Sequence, residues 1–258
     1  MKDELGRRMK EYYENRTRIY LPRRTYTIIR IDGKAFHSYT KGLTRPFDDG
    51  LIQDMDDTAI HLCENIQGAK LAFVQSDEIS ILLTDFDKIG TDAWFDGNVQ
   101  KICSVSASLA TSKFNQLRLK RNAELIINRV EDFINSFKLA NFDSRTFTIP
   151  SKTEVMNYFI WRQQDTVRNS ISSVAQSLYS HKELNGKNTD QMQEMCFQKG
   201  FNWNDLNSKL KRGRFIEKIE YNKELENGEK VIRTKWVSNE CPTFTQDVDF
   251  IDKRIPNN

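Results

Sequence analysis

The chain lacks the features that mark several common classes of protein. Its 258 residues contain no apolar run close to the roughly 20 residues that a membrane-spanning helix needs. The first five residues carry mixed charge instead of an apolar segment, so they do not predict a secretory signal, and we expect a cytoplasmic protein. No GxxxxGK[ST] motif, internal repeat or low-complexity tract is present, which argues against a P-loop enzyme and a repeat fold.

Cysteine is scarce and widely spaced. Cys63, Cys103, Cys196 and Cys241 show neither CxxC nor CxxC-plus-His grouping, so neither a structural zinc site nor a disulfide scaffold is expected. The net charge of +3 is also small and does not by itself predict nucleic-acid binding. Basic residues are nevertheless clustered, at Arg7-Arg8, at Arg118, Lys120 and Arg121, and at Lys209, Lys211, Arg212 and Arg214. Each cluster alone indicates a solvated face, and together they fit contacts to an RNA backbone.

A strand-like segment ends in a carboxylate near the start of the chain. Residues 25–31 are β-branched and aromatic and predict a strand that stops at Asp32-Gly33. Gly33 has no Cβ, so a ligand can approach closely, and its carbonyl can join Asp32 as an oxygen ligand for Mg²⁺. The amides from Gly33 to His37 can cradle a triphosphate. The alternative is an ordinary Asp-Gly hairpin turn.

A second acidic segment strengthens the metal hypothesis. Residues 69–74 and 79–83 are strand-like, and the four residues Gln75-Ser76-Asp77-Glu78 between them predict a hairpin with acids at its tip. Two facing acidic turns are electrostatically costly unless cations neutralise them. We therefore expect Asp32 and Asp77 to converge on a pair of divalent cations. Glu78 is either an orienting neighbour or a plain surface charge.

The order of predicted elements indicates an α+β fold. Helices are expected at 51–66, with Asp48-Asp49 at its start, and at 99–114, with Asp96 as N-cap. A short helix is expected within 118–138, and a strand at 142–149 stops before Pro150. The series strand, helix, strand, strand, helix, strand predicts a ferredoxin-like split βαβ sheet with helices on one face.

The remainder is predicted to form a mainly helical subdomain that carries a β-hairpin. A capping box at 151–154 opens a long helix towards residue 179, and short helices follow. Segments 214–221 and 230–236 then predict a hairpin with a tight Asn-Gly turn. We expect one domain at 1–150 and a subdomain at 151–258 packed on it.

Four motifs together resemble the tRNA-histidine guanylyltransferase family and its Thg1-like relatives, which extend RNA in the 3′ to 5′ direction. They are Arg30-Ile31-Asp32-Gly33-Lys34-Ala35-Phe36-His37, Gln75-Ser76-Asp77-Glu78-Ile79-Ser80, Phe142-Asp143-Ser144-Arg145 and Trp161-Arg162-Gln163-Gln164-Asp165. The resemblance implies a polymerase-like palm at 1–150 with two Mg²⁺ ions. Asp32, the Gly33 carbonyl and Asp77 would be the metal ligands, and both aspartates would be catalytic. It also implies a homotetramer in which residues 151–258 serve tRNA binding or oligomerisation.

The resemblance further implies two sets of binding residues. Those for the nucleotide are Gly33, Lys34, Ala35, Phe36, His37, Arg45, Asp48, Ser76, Lys101 and Ser104, with Arg45 and Lys101 at the phosphates and Asp48 at the base. Those for RNA are Arg145, Arg162, Arg168, Asn169, Lys211 and Arg212. For Arg162, Arg168 and Asn169 the alternative is ordinary pairing on a helix surface.

One departure from the family pattern bears on the activity. Members dedicated to histidine tRNA have a His-Ile-Asn-Asn-like stretch where this chain has Thr166-Val167-Arg168-Asn169. The resemblance therefore implies template-dependent repair of tRNA 5′ ends, in which ATP or GTP activates the RNA and the 3′-hydroxyl of an NTP then attacks. Alternatives are addition of one guanylate to histidine tRNA, a palm-type nucleotidyl cyclase, and a non-catalytic RNA-binding protein, which would not need paired acidic turns.

Overall fold

The computed structural model describes residues 3–123, 137–225 and 228–258. Within them, strands form one antiparallel sheet: β1 Tyr26–Gly33, β2 Ala69–Gln75, β3 Glu78–Leu83, β4 Phe142–Ile149, β5 Arg214–Glu224 and β6 Lys230–Glu240. Their order is β4-β1-β3-β2-β5-β6. The first four strands confirm the predicted split βαβ arrangement, and the predicted C-terminal hairpin extends the same sheet beyond β2.

The helices in chain order are α1 Glu4–Tyr12, α2 Phe36–Tyr39, α3 Asp49–Asn65, α4 Val99–Ala123, α5 Lys152–Leu178, α6 His181–Leu184, α7 Thr189–Gln198, α8 Ser208–Arg212 and α9 Val248–Asp252. Asp48 caps α3 as predicted, because its carboxylate accepts the Leu51 amide at 2.8 Å. The predicted cap of α4 is wrong. Asn98 accepts the Lys101 amide at 3.0 Å, whereas Asp96 lies in a preceding turn with φ 54°.

Helices α3 and α4 lie on one face of the sheet, as predicted for the βαβ elements before residue 150, and later segments cover the other face. On one face α3 and α4 pack against Ile29 and Ile31 of β1. On the other, α5 and the C-terminal segment pack against Tyr26 and Ile28 of the same strand. Successive strand residues point to opposite faces, and here both sets are apolar. A single helical layer would have left one of them in water.

The two acidic segments differ locally from their predicted conformations. Asp32 and Gly33 belong to β1 and pair with β4, where Gly33 lies opposite Phe142, so the hairpin-turn alternative is wrong. Gln75 and Glu78 pair with each other at the ends of β2 and β3. The hairpin loop is therefore the two residues Ser76 and Asp77 instead of four.

Several other predictions can be compared with the described residues. All four cysteines are free there, and no described helix is long and apolar enough to cross a membrane. The predicted helix within 118–138 begins as a continuation of α4, and its residues 124–136 lie outside the described part. Residue 227 of the predicted Asn-Gly turn also lies outside it, although Glu224 pairs with Lys230 as the hairpin requires.

Two of the basic clusters are less solvated than the sequence indicated. Arg118 and Arg121 both bond to Asp54, an almost fully buried residue of α3. Arg214 bonds through Nε to the buried Asp56, also on α3, at 2.7 Å. These arginines tie α4 and the sheet to α3, and of the three only Arg121 remains exposed.

Candidate active site

The sheet brings the two predicted aspartates to the same end of its strands. In the antiparallel register of β1 and β3, Asp32 lies opposite Glu78, the residue that follows Asp77. The Gly33 amide donates to the Asp77 carbonyl oxygen at 3.1 Å and closes the strand end against the hairpin loop. Backbone pairing therefore brings Asp32 and the tight two-residue loop that carries Asp77 close together.

The local backbone is specialised at this end of the strands. Ser76 has φ 44°, in the left-handed region, and its hydroxyl donates to Asp77 Oδ1 at 2.8 Å. A Cβ on Gly33 would lie 2.2 Å from a ring carbon of Phe36, which is itself buried. Glycine at this position therefore lets the Phe36 ring pack directly on the end of β1. Phe36 in turn belongs to an aromatic cluster with Phe114 and Phe142.

The negative charges around Asp77 favour a bound cation. Burial raises the pKa of Asp77 from 3.8 to about 6, and the nearby charges of Asp32 and Glu78 act in the same direction. Among the described residues, no group of three or more His, Cys, Asp or Glu side chains is arranged to hold a metal. Mg²⁺ needs fewer protein ligands, because it retains water and is often bound by one or two carboxylates plus substrate phosphates. Asp32 and Asp77, which line the same cavity, offer two such carboxylates, and the Gly33 carbonyl stays a predicted third ligand.

The raised pKa predicts that Asp77 costs stability at neutral pH when no cation is present. Its folded pKa lies above its unfolded value, so its contribution to the free energy of unfolding is present below about pH 4 and is lost as pH rises through about 6. We expect Asp77→Asn to be more stable than the parent by roughly 2 kcal/mol at pH 7.5 in EDTA, with the gain shrinking towards pH 4. Urea unfolding at both pH values measures this; a gain independent of pH would contradict it.

A first cavity, of about 350 Å³, opens beside the hairpin loop. Its walls include Phe36, His37, Arg45, Asp48, Ser76 and Asp77, together with residues of α5 and Arg214. The apolar side chains Leu43, Leu51, Ile52 and Leu210 line it as well. The volume falls within the range of small-molecule sites, and apolar walls with a few polar groups are typical of them.

A second cavity, of about 490 Å³, also adjoins the hairpin loop and is polar. Its walls include Arg30, Asp32, Asp77, Glu78 and Arg162. The two cavities share the residues Gln75, Ser76, Asp77, Asn169, Ser173 and Gln176. Asp77 therefore lines both cavities, so a ligand in either one could reach it.

The predicted nucleotide-binding residues divide into two groups. Phe36, His37, Arg45, Asp48 and Ser76 line the first cavity, whereas Gly33, Lys34, Ala35, Lys101 and Ser104 are outside the described lining of both cavities. The amides of Gly33 and Lys34 are engaged, with the carbonyl oxygens of Asp77 and Asn141 respectively. The predicted amide cradle is therefore corrected to one that can begin only after Lys34.

Glu78 and Arg162 form a buried ion pair next to the aspartates. Arg162 donates from Nε and Nη2 to the two carboxylate oxygens of Glu78, each at 2.8 Å, and both residues are less than a tenth exposed. Arg162 also donates to Asp165 at 2.9 Å. The surface-charge alternative for Glu78 is therefore wrong, and Arg162 makes the i,i+3 helix pair with Asp165 in a buried position instead of on the surface. The pair of Glu78 and Arg162 links α5 to the hairpin that carries Asp77.

Arg162 is buried and lines the second cavity, and the other predicted RNA contacts are more accessible. Arg145 and Arg168 are about half exposed and bond to Asp143 and Asp165 respectively. Asn169 is exposed, and the remaining two, Lys211 and Arg212, are partly buried on α8. All of these assignments, including that of Arg162, stay predictions.

Sequence reasoning missed several residues that line the cavities. Gln75 is buried and accepts a hydrogen bond from Thr166 across to α5. Ser173 and Gln176 line both cavities with Asn169. Asn169, Ser173 and Gln176 are spaced i, i+4 and i+7, which places all three on one face of α5. This polar spacing was the sequence signal that could have identified them.

Comparisons with known proteins agree on one family. The family model described as "Thg1: tRNAHis guanylyltransferase" matches residues 6–150. A probable tRNA(His) guanylyltransferase of Dictyostelium discoideum is 27% identical over 209 residues, 75% of each chain. A bacterial tRNA(His) guanylyltransferase (Thg1)-like protein solved with ATP is 43% identical, with a TM-score of 0.84, covering 98% of this chain and 100% of that one. Such a protein solved with GTP gives 43% identity and a TM-score of 0.79, over 98% and 99% of the two chains.

Proposed function

Since this chain belongs to the tRNA(His) guanylyltransferase family of nucleotidyltransferases, we propose that it adds nucleotides to the 5′ end of tRNA in the 3′ to 5′ direction, using Mg²⁺ and ATP or GTP. One observation carries this proposal. Asp32 and Asp77 lie at the same end of neighbouring strands and both line the second cavity, and Asp77 also lines the first cavity, which has the size of a nucleotide site. Paired carboxylates of this kind are what metal-assisted phosphoryl transfer requires.

The reaction has two balanced steps. An oxygen of the RNA 5′-monophosphate attacks the α-phosphorus of ATP or GTP, pyrophosphate leaves, and a 5′-to-5′ anhydride forms. The 3′-hydroxyl oxygen of an incoming NTP then attacks the 5′ phosphorus of the RNA. Its proton passes to water, and the activating nucleotide leaves as a monophosphate. Neither step needs a covalent bond to the protein.

The residues of the site would position these reactants. Asp32, Asp77 and the Gly33 carbonyl would hold Mg²⁺, which when bound lowers the pKa of an attacking hydroxyl and offsets charge on the leaving oxygens. The activating nucleotide would occupy the first cavity, with its phosphates towards Ser76 and Asp77 and near Arg45 and His37. Asp48 would contact the base, using the acceptor capacity left after its bonds to the Leu51 and Thr44 amides.

We propose template-dependent 5′-end repair as the specific role. The Thr166-Val167-Arg168-Asn169 stretch supports it, and so does the higher identity to the bacterial Thg1-like protein, 43% against 27% for the Dictyostelium guanylyltransferase. Exposed Arg145 and Arg168 would contact the tRNA, and Asn169, Lys211 and Arg212 would add to that surface. A homotetramer would allow one tRNA to contact more than one subunit.

An assay with end-labelled RNA tests this function. The protein is incubated with Mg²⁺, each NTP separately, and either full-length or 5′-truncated tRNA. Repair predicts addition to the truncated tRNA of the nucleotide complementary to the opposing template base. A dedicated guanylyltransferase would instead add a single guanylate to full-length histidine tRNA, and a cyclase would make a cyclic nucleotide without RNA. Absence of any 5′ addition would contradict the proposal.

A further inference from the structure

A buried arginine in the first cavity has an unused hydrogen-bond donor. Arg214 lies at the start of β5, is 3% exposed and lines this cavity. Its Nε donates to Asp56, whose other oxygen accepts from Ser238 at 2.7 Å. Within the described part of the chain, its Nη2 has no hydrogen-bond partner. A buried donor of a charged group is costly to leave unpaired, so a cavity ligand that offers an acceptor gains from it.

The strand register places Arg214 away from the aspartates. Arg214 pairs with Val74 of β2, next to the last residue of that strand, Gln75, so Arg214 lies outside the Ser76-Asp77 loop. If the triphosphate lies at the Ser76 and Asp77 end, as the proposed function has it, Arg214 lies towards the base of the nucleotide. Apolar Leu51, Ile52 and Leu210 line the same cavity, as a flat base requires.

We propose that Arg214 recognises the purine base in this cavity by donating a hydrogen bond to its N7 nitrogen. This inference rests on the proposed function, in which ATP and GTP both occupy the site. Adenine and guanine carry opposite groups at C6, an amino donor and a carbonyl acceptor, but both offer N7 as an acceptor. A donor held in place by Asp56 can therefore serve both purines at N7, and pyrimidines lack that atom.

The test uses ligands that differ in this one atom. Dissociation constants for GTP, 7-deaza-GTP, ATP and 7-deaza-ATP are measured by calorimetry with Mg²⁺ and without RNA, so that no transfer occurs. The parent protein should bind each natural purine about tenfold more tightly than its 7-deaza analogue, since one hydrogen bond to a charged donor is lost. Equal affinities would overturn the proposal, and this comparison needs no variant to fold.

A pair of arginine variants assigns the effect to Arg214. Arg214→Lys retains a charge for Asp56 but lacks the guanidinium, and it should bind GTP and 7-deaza-GTP equally, both at the weaker level. Arg118→Lys is the matched control. Arg118 is also buried, also bonds to an α3 aspartate and also has an unpartnered nitrogen, but it lies outside the described lining of both cavities. It should keep the tenfold ratio.

The outcomes distinguish failure of this inference from failure of the proposed function on which it rests. A tenfold ratio that persists in Arg214→Lys would overturn the role of Arg214 while leaving nucleotide binding intact. A parent protein that binds neither GTP nor ATP would overturn both the inference and the proposed function. Purine binding with loss of the ratio only in Arg214→Lys supports both.

Discussion

Alanine at either Asp32 or Asp77 is expected to abolish Mg²⁺-dependent addition of nucleotides to RNA 5′ ends. Each change removes one of the two carboxylates at this end of β1 and β3. Among the described residues, no group of three or more His, Cys, Asp or Glu side chains could hold a metal in their place. The loss should exceed the about 10- to 100-fold effect typical of residues that only support metal ligands. Single-turnover transfer to labelled, 5′-truncated tRNA measures it.

The fold should survive these two substitutions, because neither carboxylate holds the sheet together. The Gly33 amide bonds to the backbone oxygen of Asp77, which alanine retains. Asp249→Ala is a suitable control, since Asp249 is 82% exposed on α9 and its ion pair with Lys253 is on the surface. It should transfer nucleotides at the parent rate. Turnover retained by Asp32→Ala or Asp77→Ala, at parent-like thermal midpoints, would refute the assignment of the site.

The site was partly predictable because its two aspartates carry local signals. Asp32 and Asp77 each follow an apolar strand-forming segment, and such segments show directly in the sequence. The split βαβ order followed from alternating strand and helix patterns and from the cap at Asp48. These features depend on neighbouring residues only, and local patterns encode them well.

The remaining structure depends on contacts between distant parts of the chain. β5 pairs with β2 across some 140 residues, and nothing in either segment alone specifies this partner. Apolar residues lie on both faces of β1, and nothing in that strand alone specifies that α5 covers the second face. Gln75 and Glu78 belong to strands because they pair with each other, which shortens the loop that composition alone had suggested.

Buried charges were the main source of error. Arginines are rarely fully buried without a partner, so Arg162 on a helix and Arg214 in a basic cluster indicated exposed positions. Each is buried because a distant carboxylate, Glu78 or Asp56, meets it there. Pairing of this kind cannot be read from either residue alone, and the unused donor of Arg214 becomes visible only in the assembled cavity.

The ion pair beneath the hairpin should be the most stability-sensitive polar contact near the site. Arg162→Met is expected to lower the free energy of unfolding by about 3–5 kcal/mol, because it leaves the Glu78 carboxylate buried without its two strong donors. Arg30 cannot replace them, since its Nε lies 3.9 Å from Glu78. Urea unfolding near pH 7 measures the change.

A double-mutant cycle distinguishes this pair from simple loss of packing. Adding Glu78→Gln to Arg162→Met removes the stranded charge and should recover part of the loss, so the two effects are not additive. Arg168→Met is the matched control, because Arg168 is 53% exposed and its bond to Asp165 is worth within about 1 kcal/mol. A cost for Arg162→Met as small as that of Arg168→Met would rule out a structural role for the pair. A large cost would mean that α5 holds the loop of Asp77 in place, and that loosening it should also slow transfer.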